Sequence, residues 1–97
     1  MPTLSAYSNV ENTSLLILRE KGFRVWYIEK SQLYYAERNG WDFAASSITE
    51  LLGLVSIYEF HDPKKFREYW WKINDEWMLD DIPKTAPEYE PVWKRRK

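Results

Sequence analysis

The chain has 97 residues, a net charge of -1 and no cysteine. At this length one domain is expected, burying only about 60–65 % of its unfolded surface, and the missing thiols exclude both a disulfide framework and a thiolate zinc site. The balanced charge gives no global field to attract a polyanion; no apolar stretch approaches the ~18 residues of a membrane span, and residues 1–12 lack the basic and apolar regions of a secretory signal.

These bounds predict a single domain over residues 1–97 in the cytoplasm, with a flexible N-terminus over 1–8. Six Trp, seven Tyr and four Phe make the chain rich in aromatics. Each such ring can bury on the order of 150–250 Å², so a few of them carry a small core and the rest are available for recognition.

The first element reads as a short helix, although the run of four apolar residues 15–18 also fits a buried strand. Ser8, Asn9, Asn12 and Thr13 are candidate caps, with Ser8 and Glu11 at capping-box spacing. Leu15, Leu16, Ile17 and Leu18 supply its apolar side, Arg19 and Lys21 suit its carboxyl end, and Gly22 is the left-handed stop.

Three strands follow. Asn39-Gly40, between the runs 33–38 and 41–45, suits the positive backbone angles of a type I′ hairpin turn and fixes a register. A reversal centred on Lys30-Ser31 adds residues 23–29 as a third strand, whether its loop has two or four residues. The alignment then sorts side chains onto two faces. Phe23, Val25, Tyr27, Tyr34, Ala36, Trp41, Phe43 and Ala45 share the face expected to be core, with Arg38 beside Trp41 for a cation–π contact. The other face lines up Arg24, Glu37 and Asp42 in one row, Trp26, Tyr35 and Ala44 in the next, and Ile28, Leu33 and Ser46 in the third.

Ser47 and Glu50 form a capping box for a second helix with the stripe Ile48, Leu51, Leu52, Val55 and Tyr58. Leu54, Ile57 and Phe60 fall off that stripe, which predicts a helix buried between layers. Gly53 costs ~1 kcal/mol in an exposed helix and predicts close approach of a neighbouring backbone. Asp62-Pro63 reads as the start of a third helix, with Phe66, Tyr69, Trp70 and Ile73 recurring at i, i+3, i+4 and i+7. That helix ends at Asn74-Asp75 before a short turn through Trp77, Met78 and Leu79, or runs on to Asp80. Pro83, Pro87 and Pro91 forbid a helix beyond and predict an extended tail over 83–97. The fold class is therefore α+β: a helix, a three-stranded antiparallel sheet, then two or three helices and an extended Pro-containing tail.

The order helix, three antiparallel strands, helix resembles that of a double-stranded RNA-binding domain. Such a domain needs a lysine-rich start to the helix after the sheet, whereas this helix opens Ser47, Ile48, Thr49, Glu50. Topology is the only overlap.

No phosphate-binding glycine loop or nucleophile elbow is present, and His61 is the single histidine, which gives no support for a histidine-rich metal site or a serine–histidine triad. Glu37 and Asp42, opposite on paired strands, repel each other unless Arg24 intervenes. Their separation would suit a retaining glycosidase, but so small a domain leaves little room for a sugar cleft, and an ion network is the reading carried forward. No catalytic residue, cofactor or metal is expected.

The expectation is a non-enzymatic protein-binding domain of inhibitor, immunity-protein or adaptor type. Its contact residues would be Arg24, Trp26, Tyr35, Glu37 and Asp42, with Trp71, Trp77 or Trp93 as anchors, since interface energy concentrates in Trp, Tyr and Arg. The acidic run Asp75, Glu76, Asp80, Asp81, Glu88 and Glu90 suits a basic partner. Two alternatives remain: nucleic-acid binding, the weaker, through Trp93 and the basic residues 94–97, and homo-oligomerisation through the aromatic face.

Overall fold

A computed structural model of the chain describes residues 4–73 and 76–94. Helix α1, Ser8–Glu20, leads into strands β1, Arg24–Ile28, β2, Leu33–Arg38, and β3, Trp41–Ala45, and then into helix α2, Ile48–His61. The sheet order is β1-β2-β3, antiparallel throughout. Both helices pack on one face, so the molecule has two layers.

The turns behave as their residues dictate. Gly22 adopts φ 90°, its N–H donating to Arg19 O and that of Phe23 to Leu18 O, the paired bonds that close a helix on a left-handed residue. Asn39 and Gly40, at φ 53° and 86°, form the two-residue reversal between β2 and β3. Glu37 pairs with Asp42 across it, and Arg24 with Glu37 across the four-residue loop after β1. This is the register expected from the two reversals.

The core is small. Leu18, Phe23, Ala36, Leu51 and Val55 are buried, with Val25, Tyr34, Phe43, Ala45, Ile48, Leu52 and Tyr58 packed around them. Arg38 extends over this cluster, its guanidinium 4.6 Å from the Phe23 ring centre and 5.9 Å from that of Tyr58, and donates to Lys21 O at 2.7 Å. It therefore serves Phe23 and Tyr58 rather than the expected Trp41. Trp41 instead meets Tyr58 and Trp70, with ring centres 5.4 and 5.7 Å away. Tyr27, expected in the core, is half exposed; it sits towards the far end of β1 and packs on Tyr34 at 4.8 Å.

A polar contact ties the helices together. Glu11 does not close a capping box with Ser8, and Tyr7, at the N-cap position of α1, makes no side-chain cap bond. The Glu11 carboxylate instead reaches the start of α2, accepting from the N–H groups of Ile48 at 2.7 Å and Thr49 at 3.2 Å and from the Thr49 hydroxyl. With the Thr49 proton so committed, the buried Ser14 hydroxyl donates to Thr49 Oγ1 at 2.8 Å. The carboxylate thus satisfies free amides at the positive end of the α2 dipole, while Ser47 accepts from Glu50 N–H as its sequence predicts. These bonds, led by the Thr49 hydroxyl and opposed by partial burial, hold the Glu11 carboxyl below its ordinary range.

Several later expectations are corrected. Helix α2 is not enclosed between layers: Ile57 and Phe60 are exposed, because no second layer covers that flank. No heavy atom lies within 4 Å of where a Gly53 Cβ would stand, so no neighbour among the described residues requires the glycine. The third helix does not form between residues 62 and 73. Asp62, at φ 49° and ψ 63°, closes α2 in the left-handed region instead of opening a new helix. Tyr69 at φ 59° interrupts the chain again, and the bonds from Trp70 to Arg67 O and Lys72 to Tyr69 O close isolated turns. Phe66, Tyr69, Trp70 and Trp71 are poor helix formers. A segment this short is marginal as a helix without a buried face, and Trp70 gains its contacts edge-on to Tyr58 and Trp41.

The expected stop at Asn74-Asp75 lies outside the described residues. Leu79–Asp81 is a single 3-10 turn. The tail runs without helix or strand from residue 83 to 91 and ends in a second 3-10 turn, Val92–Lys94, rather than a strand-like extension. Residues 95–97 lie outside the described set.

Candidate functional site

The strand alternation that feeds the core on one side presents the opposite side of the sheet to solvent, and no helix among the described residues packs there. Trp26 and Tyr35 are cross-strand partners at its centre, their rings stacked at 5.8 Å and 9°. Trp26 is 40 % exposed, so the pair remains accessible. The Tyr35 hydroxyl donates to Ser31 Oγ at 3.2 Å, and that hydroxyl to Ile28 O at 3.3 Å, which ties the Tyr35 ring to the β1–β2 loop. Ile28 and Leu33 continue the apolar strip.

A charged row borders the strip. Arg24 Nε and Nη2 donate to Glu37 Oε1 at 2.9 and 2.6 Å, and the other Glu37 oxygen accepts the Gly40 N–H at 3.0 Å. The Gly40 amide first, then Arg24, hold the Glu37 carboxyl below its ordinary range. A carboxyl so held remains a carboxylate and is a poor proton donor near neutrality. Asp42 stands across from Glu37 with no hydrogen-bond or ion partner among the described residues. The row is thus one satisfied ion pair plus one free negative charge.

Five of the sequence-predicted contact residues, Arg24, Trp26, Tyr35, Glu37 and Asp42, therefore share one surface. The proposed anchors do not join them at a single point. Trp71 packs on Tyr69 and Trp70 near the β3 edge, with ring centres 5.6 and 5.9 Å away. Trp77 is 69 % exposed in the segment after Ile73, and Trp93 lies in the terminal turn with the Lys94 ammonium 5.1 Å from its ring. Lys94 is the one member of the basic run 94–97 among the described residues.

Two features had no place in the sequence reading. A hollow of about 520 Å³ between the end of α2 and the following turns is lined by His61, Lys64, Lys65, Phe66, Arg67 and Trp70, with His61 stacked on Trp70 at 6.2 Å. A second, apolar trench follows the β3 edge along the flank of α2. Leu54 and Ile57, off the main stripe of α2, are its signal in the sequence, where they point to burial between layers instead. No cluster of metal-ligating side chains occurs among the described residues, nor a helix long and apolar enough to cross a membrane. No family model, curated protein or solved structure matches the chain.

Proposed function

We propose that the chain is a non-enzymatic protein-binding domain, of inhibitor, immunity-protein or adaptor type, that docks through the sheet face opposite its helices. The observation that carries this reading is the stacked Trp26–Tyr35 pair, held rigid by strand register yet open to solvent. Two rings fixed across neighbouring strands offer apolar area at small entropic cost, which is what interface anchors need. The Arg24–Glu37 pair supplies a polar rim, and the unpaired Asp42 favours a partner with a basic group opposite it.

The test is capture from an extract of the native cells on immobilised wild-type chain, compared with Trp26→Ala/Tyr35→Ala and with Phe60→Ala, which alters the far side. At least one protein should be retained by the wild type and by Phe60→Ala and lost by the double variant. An identical bound set for all three would count against the face. For a partner so found, Asp42→Lys should slow association in a salt-dependent way.

A further inference from the structure

The trench along the β3 edge borders the sheet face just described, sharing with it Asp42, Ala44 and Ser46. It consists of two adjoining hollows of about 350 and 580 Å³, floored by Ala44, Ala45, Gly53, Leu54 and Ile57 and closed at one end by Trp71. Three observations bear on it. The strand beside it is a sheet edge: in a two-residue hairpin the pair next to the turn, Arg38 and Trp41, is hydrogen-bonded, so alternation turns the N–H and C=O groups of Asp42 and Ala44 outward, without strand partners. Gly53 sits mid-helix with open space where its Cβ would be. Finally, Asp42 and Glu50 border the trench as unpaired carboxylates, and no cationic side chain among the described residues lines it.

An occupant that fits must be extended, so as to pair with the edge, and apolar enough to cover Leu54 and Ile57. It must also be basic, and run close enough to α2 for a side chain at position 53 to obstruct it. The sequence carries such a segment itself. Residues 91–97, Pro-Val-Trp-Lys-Arg-Arg-Lys, place two apolar side chains ahead of four cations, with no proline after the first position. Val92 and Trp93 are 73 % and 46 % exposed, and none of the described tail residues lines the trench of its own chain. We propose that the trench receives the C-terminal segment of a second copy, whose Val92–Lys94 turn opens so that it adds as a strand to the β3 edge in a reciprocal, closed dimer. Direct edge-to-edge pairing of two β3 strands fits less well, because it draws the unpaired acidic groups of both copies towards the same seam.

Sedimentation of the full chain, with and without residues 91–97, tests this together with a synthetic peptide of that segment. The expected result is a monomer–dimer equilibrium that the truncation abolishes and excess peptide dissociates. Both the dimer and the peptide complex should weaken severalfold when salt is raised from about 0.1 to about 0.5 M. Gly53→Leu should weaken peptide binding at least tenfold. Gly53→Ala should raise Tm by a few degrees, roughly as helix propensity dictates, while loosening the dimer. A monomer at every concentration that also ignores the peptide overturns the proposal. So does a dimer that survives truncation, which would indicate edge-to-edge pairing, or a Gly53→Leu variant that binds the peptide as the wild type does.

Discussion

The two faces of the sheet are made from alternate residues of the same strands, yet one carries Val25, Ala36 and Phe43 beneath the helices while the other presents Trp26, exposed, against the half-buried Tyr35. Each face carries one Trp and at least one Tyr, Trp41 and Tyr34 beneath the helices and Trp26 and Tyr35 on the open side, so ring size does not tell them apart. Aromatic content alone does not separate core from recognition surface. The helices do, and their placement rests on Leu18, Leu51 and Val55 and on the Glu11 bridge from one helix to the other.

The largest expected effect comes from opening the closed face. Leu51→Ala removes a fully buried side chain and should cost about 2–5 kcal/mol in a urea melt, enough to threaten so small a fold. Next is the bridge between helices. Glu11→Gln leaves the size unchanged but removes the charge and one acceptor from the start of α2, and a loss of about 1–2 kcal/mol is expected. The same group sets a pH dependence. Its carboxyl is lowered on folding from the ordinary 4.5, so its contribution is complete above that value and fades as pH falls through the lower folded value. Acid titration of stability should therefore be shallower in Glu11→Gln than in the wild type. The smallest effect belongs to the open face: Trp26→Ala should change stability by about 1 kcal/mol or less, the range of an exposed ring pair, while removing partner capture.

Strand register was legible because Asn39-Gly40 admits one reversal and alternation then assigns every side chain. The Ser47 half of the α2 capping box was legible for the same reason, because its hydroxyl acts on an immediate neighbour, whereas the Glu50 carboxylate returns no bond. The Glu11 contact spans 37 residues, and its local spacing with Ser8 points to a different bond, so nothing in the pattern reveals it. Residues 62–73 mislead because Phe66, Tyr69, Trp70 and Ile73 satisfy helical spacing, yet Trp70 finds its partners in Trp41, Tyr58 and His61. Of the site, the row Arg24, Glu37, Asp42 and the pair Trp26, Tyr35 follow from register. That the face stays uncovered depends on where residues 62–94 run, which periodicity does not encode.

Openness of that face is best measured on the isolated ¹⁵N-labelled chain by the relaxation that a soluble gadolinium chelate imparts to each tryptophan indole N–H. Trp26 should relax less than Trp77 but distinctly more than Trp41 and Trp70. A Trp26 signal as protected as that of Trp41 in the monomer would mean the face is closed by its own chain, contradicting the account.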